Sequence, residues 1–158
     1  AERGVAVPTM AASLDARMIS GRKEERVEAS KILKGPTIAA TDKAQVLGDL
    51  RAALYASKVC SYAQGLSLIK SASDEFNWGV DLAMCAKLWM GGCIIRAQLL
   101  DGIQLAFASN PKLPNLLVDA GFSKEINERT TAWRRAVAMC LTNGIACPSL
   151  CSSLTYYA

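Results

Sequence analysis

The chain has 158 residues, 51% of them hydrophobic and 20% charged, and 18 basic against 14 acidic side chains leave a net charge of +4. That apolar share excludes a disordered chain, and the length suits one domain with a modest core. Histidine is absent, which excludes a Ser-His-Asp triad, a Cys-His pair, a Cys2His2 zinc site and a histidine base from within the chain.

The pattern is helical nearly throughout, and the fold class expected is all-α with about six to seven helices. Thr9 can cap a helix running from residue 10 to about 34, with Leu14, Met18, Val27, Ile32 and Leu33 on a roughly periodic face. Gly35-Pro36 ends it, and residues 37–41 read as a loop. Asp42-Lys43-Ala44-Gln45 is an acidic variant of the capping box and opens a long helix to about residue 73. Its buried stripe is expected at Val46, Leu50, Ala53, Leu54, Ser57 and Cys60. Gln64 and Gly65 then interrupt a nearly all-apolar surface, which is the pattern of a helix inside a larger body.

Asn77-Trp78-Gly79 predicts a turn, and Asp81 a helix start reaching Trp89. Gly91-Gly92 marks a break. A helix over 94–109 is closed by Asn110-Pro111, and a short one over 114–119 ends before Gly121. Ser123 is expected to cap a long amphipathic helix to Asn143, with Gly144 beyond it where a left-handed residue is wanted. Pro148 falls in the first turn of the last segment.

The cysteines are Cys60, Cys85, Cys93, Cys140, Cys147 and Cys151, with no Cys-x-x-Cys among them. Four lie in apolar helical stretches, where cysteine acts as a small hydrophobe. Reduced thiols are expected, and with them a reducing compartment, cytoplasmic or an organelle interior. Cys147 and Cys151 can neighbour each other on one helix turn, but two ligands make no zinc site, so no metal is expected.

No Gly-x-Gly-x-x-Gly and no Gly-Lys-Ser loop announces a nucleotide site, so no cofactor-binding residue is expected in this chain. The sign of charge alternates over Gly21-Arg22-Lys23-Glu24-Glu25-Arg26, as on a solvated face, and no nucleic-acid partner is expected. No apolar run approaches the roughly 18 residues that would span a membrane. Glu24-Glu25 and Asp74-Glu75 sit in charged stretches, which argues against paired acid–base work. Arg96 and Arg134-Arg135 are expected to pair with internal carboxylates or to stack on an aromatic ring. Arg17, beside Ala16, Met18 and Ile19, has two readings: a surface salt bridge with Asp15 or with the acids near Gly21, or a forked donor for a phosphate.

Several longer words carry a resemblance. They are Leu54-Tyr55-Ala56-Ser57-Lys58-Val59-Cys60-Ser61-Tyr62-Ala63-Gln64-Gly65, Trp89-Met90-Gly91-Gly92-Cys93-Ile94-Ile95-Arg96, and Asn110-Pro111 with Leu116-Leu117-Val118-Asp119. Ala132-Trp133-Arg134-Arg135 and Ser153-Leu154-Thr155-Tyr156-Tyr157 complete them. In order and spacing these resemble the decarboxylating 6-phosphogluconate dehydrogenases over essentially the whole chain. The resemblance implies that residues 1–158 are the later part of that family's all-helical C-terminal domain.

The family enzyme oxidises 6-phosphogluconate with NADP, releases carbon dioxide and yields ribulose 5-phosphate, working as a homodimer in the pentose phosphate pathway. Its Rossmann domain, its catalytic lysine and glutamate, and a C-terminal tail that enters the partner subunit are expected to lie outside this sequence. No catalytic residue is therefore assigned here, and the chain alone is expected to be inactive. Ala12-Ser13-Leu14-Asp15-Ala16-Arg17 resembles the stretch ending in the family's substrate-phosphate arginine, which makes Arg17 the one inherited site residue.

Departures from the family pattern are Met90 for a basic residue, Asp101-Gly102-Ile103-Gln104-Leu105 after Leu100, and Ala158 for an aspartate. Loss of charge is what a face covered by another protein would show. A diverged, non-catalytic structural subunit, its apolar faces covered by other chains, is the alternative to an enzyme fragment.

Overall fold

The computed structural model describes residues 4–38 and 42–158. Among them are α1 (Pro8–Gly21), α2 (Lys23–Ile32), α3 (Lys43–Phe76), α4 (Leu82–Met90) and α5 (Leu99–Ser109). A 3-10 turn (Leu116–Val118), α6 (Ala120–Asn127), α7 (Thr130–Thr142) and α8 (Pro148–Tyr157) follow. The described residues contain no strand. The all-α class holds, with one or two more helices than the pattern suggested. The expected loop over 37–41 falls partly outside the described residues.

Two helix starts with a local cap lie where the sequence puts them. Asp42 Oδ1 accepts from the N–H groups of Ala44 at 2.9 Å and Gln45 at 3.4 Å. Asp81 Oδ1 accepts from Ala83 at 2.8 Å and Met84 at 3.1 Å. Asn77 (φ 55°) and Gly79 (φ 62°) turn the chain between α3 and α4. Pro148 takes the first position of α8, where a missing N–H costs nothing.

Five expectations need correction. Thr9 is no cap: Val7 is, Pro8 takes the first helical position, and Thr9 is buried one step further in. The helix over 10–34 is two, because Gly21 weakens it and Arg22 (φ −87°, ψ 60°) leaves helical geometry. Arg22 then caps α2, whose first turn holds Glu24 and Glu25 at the positive end of its dipole. The helix expected from residue 94 starts only at Leu99. Gly92 (φ 140°) cannot be helical, and the Ile95 carbonyl accepts from the Tyr62 hydroxyl at 3.2 Å. The short helix over 114–119 is a single 3-10 turn. Finally, Asp119 rather than Ser123 caps α6, accepting from Gly121 and Phe122. The long helix to Asn143 then breaks at Glu128 and Arg129, where Thr130 Oγ1 donates to the Asn127 carbonyl at 3.1 Å.

The chain forms two compact units, Val7–Ser61 with Ile126–Ala158, and Tyr62–Glu125 with residues 4–6. α3 has 34 residues, about 50 Å, and runs through both.

In the first unit Trp133 is fully buried, its ring centroid 5.8 Å from that of Tyr157. α1 packs on α8: Thr9 Oγ1 lies 3.0 Å from Ser153 Oγ, and Ser13 Oγ lies 2.8 Å from Ser149 Oγ. The face α3 buries here is Asp49, Ala53, Ala56, Ser57, Val59 and Cys60. Leu54, expected inside, is 66% exposed, because the buried stripe is centred about a quarter-turn away on small residues that let neighbours come close. α2 buries nothing.

In the second unit α4 packs against α5 over Leu82, Ala86, Leu100, Ile103 and Phe107. Gly102 has an internal reason for being glycine: a Cβ there would sit 3.2 Å from the Phe122 ring tip, and Phe122 is buried. That departure from the family pattern therefore reflects packing inside the unit.

Candidate functional site

Arg17 sits on α1 one turn beyond Ser13, past the hydroxyl contacts that hold this helix to α8. Its side chain is exposed and makes no hydrogen bond or ion pair with another described residue. Asp15, one expected partner for a salt bridge, makes none with it. The guanidinium thus keeps its planar fork of donors available to an anion. Leu14, Met18 and Ile19 around it are all at least 60% exposed.

The other arginines follow the structural reading in part. Arg135 donates from Nε to Asp49 Oδ2 at 3.0 Å and from Nη2 to Asp49 Oδ1 at 2.7 Å, a two-pronged pair across 86 residues of sequence. Gln45 Nε2 adds a third donor to Oδ1 at 3.0 Å. Arg129 stacks over the Tyr55 ring, 4.5 Å from its centroid. Arg96 and Arg134 are exposed. Asp74 pairs with Lys70 at 2.9 Å on the surface of α3. Asp49 escaped sequence reasoning: an acid between Gly48 and Leu50 looks like an ordinary solvated residue until α7 brings Arg135 to it.

The Arg135 fork holds the Asp49 carboxyl below the usual carboxylate range, against burial, which raises it, and with help from Gln45. The charged form is thus favoured in the folded state. Its contribution to stability is complete above the unfolded value of about 3.9 and is lost as pH falls through the lower folded value. The difference in urea midpoint between the protein and its D49N variant should be full at neutral pH and should close below about pH 4. A gap that does not change with pH would show the pair to be energetically silent.

Two clefts accompany these groups. One, of about 490 Å³, lies in the second unit between the end of α3, the 77–81 turn, α4 and α5, with Lys70, Asp74, Asp81, Lys87 and Gln104 on its walls. The other, of about 380 Å³, is beside the Asp49–Arg135 pair. Among the described residues no three His, Cys, Asp or Glu side chains are grouped to hold a metal ion. No described helix is long and apolar enough to cross a membrane.

The class defined so far is all-α, with an arginine on its first helix that has no partner among the described residues. Residues 1–158 match the family model described as 6-phosphogluconate dehydrogenase, C-terminal domain. The chain belongs to that family. It is 50% identical over 159 residues to 6-phosphogluconate dehydrogenase, decarboxylating 1 of Oryza sativa subsp. japonica, covering 99% of this chain and 33% of that one. Identity to the chloroplastic decarboxylating 2 enzyme of Spinacia oleracea is 47% over 165 residues, with 99% of this chain and 31% of the relative covered. A solved 6-phosphogluconate dehydrogenase of Plasmodium falciparum superimposes with a TM-score of 0.93 at 42% identity, over 99% of this chain and 34% of that one. That protein has been seen in its apo form, with its cofactor NADP+ and with its substrate 6-phosphogluconate. The chain thus spans about a third of the length of the relatives it matches.

Proposed function

We propose that this chain is the helical C-terminal portion of an NADP-dependent decarboxylating 6-phosphogluconate dehydrogenase, and that Arg17 neutralises the phosphate of the substrate. Family membership over residues 1–158 supports the reading, and the observation that carries Arg17 is its exposed guanidinium with no partner among the described residues. In this reading NADP is bound by a Rossmann domain elsewhere in the enzyme, and the catalytic lysine and glutamate also lie outside the chain. Arg17 contributes binding: a forked, charge-assisted contact orients the phosphate end while hydride transfer proceeds at the other end of the sugar acid. A second subunit completes the site, and the chain by itself turns nothing over. The enzyme works in the cytosol or an organelle interior.

The test is kinetic, on the intact dehydrogenase containing this sequence. Arg17→Gln should raise KM for 6-phosphogluconate about 10- to 100-fold, the value of one strong charge-assisted contact, and leave KM for NADP unchanged. Arg17→Lys should recover part of the loss, since it restores the charge but not the fork. An unchanged KM for the sugar acid would remove Arg17 from the site. Turnover by residues 1–158 alone would overturn the assignment of catalysis to other parts of the enzyme.

A further inference from the structure

The last connection holds a thiol pair that this function does not use. Cys147 Sγ and Cys151 Sγ are 3.5 Å apart. Both side chains are half-buried, whereas Cys60 and Cys140 are buried. We propose that Cys147 and Cys151 form a reversible dithiol–disulfide pair that exchanges with small diffusible disulfides of the glutathione class.

Backbone geometry permits this pair where a helix interior would not. Two residues four apart within a helix hold their Cβ atoms about 5–6 Å apart, too far for a bridge that needs about 3.5–4.5 Å. Cys147 instead is the cap residue of α8, with its backbone outside helical geometry (φ −140°, ψ 52°), and the next residue is Pro148, which has no N–H to bind. The hydrogen bond from Cys151 N–H to the Cys147 carbonyl, 3.0 Å, is the tie that adjusts as the sulfurs close to bonding distance. Ser149 and Ser153 meanwhile anchor α8 to Ser13 and Thr9 of α1.

Burial, and then the neighbouring Cys151 and Cys140 thiols, push the Cys147 thiol up to about 12. Cys151 releases its proton to solvent, and its thiolate attacks one sulfur of glutathione disulfide. The S–S bond breaks and one glutathione thiolate leaves. Cys147 then attacks Cys151 Sγ; the bond from Cys151 to glutathione breaks, the Cys147 proton passes to the departing glutathione thiolate, and the internal bond forms. Two protein thiols are oxidised, and one glutathione disulfide is reduced to two thiols.

The experiment equilibrates the full chain in glutathione buffers from fully reduced to fully oxidised, quenches in acid, and alkylates with N-ethylmaleimide. The tryptic peptide beginning at Ala136, which contains Cys140, Cys147 and Cys151, is then sequenced by mass spectrometry. Oxidised buffer should remove alkylation from Cys147 and Cys151 together, leave Cys140 alkylated, and be reversed by dithiothreitol. C140S should behave like the parent chain, and C147S should accumulate glutathione on Cys151. Alkylation of both residues in every buffer, a bridge to Cys140, or glutathione persisting on the parent chain would each overturn the proposal.

Discussion

Trp133→Ala is expected to destabilise the fold by about 3–5 kcal/mol, the cost of emptying a site filled by a large aromatic side chain. Trp133 is fully buried, and its ring leans at 44° against Tyr157, whose hydroxyl donates to Asn127 Oδ1 at 2.8 Å. One ring therefore supports both α7, which carries it, and α8, which ends on Tyr157. Packing provides most of that support. Trp133 Nε1 has no hydrogen-bond partner among the described residues, so Trp133→Phe discards no internal hydrogen bond and should cost distinctly less. Guanidinium unfolding followed by far-UV circular dichroism measures both variants without relying on the fluorophore being removed. A loss below about 1 kcal/mol for the alanine variant, the range of surface substitutions, would mean that the ring is not the keystone its burial suggests.

Gly144→Ala is expected to cost about 2–3 kcal/mol, for two separable reasons. The residue sits at φ 66°, left-handed backbone in which an L side chain is disfavoured by roughly 1–2 kcal/mol. A Cβ there would also lie 2.7 Å from Pro36 Cδ, closer than carbon atoms approach, and the Pro36 ring is part of the backbone and cannot rotate away. Gly79→Ala provides the control, because it has nearly the same φ, 62°, with no atom within 4 Å of a Cβ. The thermal midpoint should fall for both and fall further for Gly144→Ala. Equal shifts would show that the 33–38 segment moves aside freely and that only the backbone term operates.

The pair of glycines also shows how far the sequence could be read. Gly144 follows an amphipathic run and precedes Pro148, which is enough to place a left-handed helix end there. That Pro36, more than a hundred positions earlier, closes over it is a property of the folded chain alone. The same division applies at the candidate site. The word ending in Arg17 marked that residue by resemblance, and Asp15, two positions away on the same helix, faces another side; only the packing of α1 on α8 through Thr9 and Ser13 is a property of the folded chain.

What the sequence by itself determined was a set of features governed by neighbours a few residues away, although the caps expected at Thr9 and Ser123 lie at Val7 and Asp119. Asp42 and Asp81 cap their helices, Asn77 to Gly79 turns the chain, and Pro148 opens α8, because a cap or turn is closed by atoms within a few residues. The all-α class and the family followed from patterns spread over the whole chain. Tertiary structure decided which face of α3 is buried, turning Leu54 outward and Asp49 inward. It joined Asp49 to Arg135, set Gly102 against Phe122, and brought the Cys147 and Cys151 sulfurs to 3.5 Å. Those choices depend on which surfaces meet, and the free energy of a partly buried ion pair or a filled cavity exists only after segments distant in sequence have been brought together.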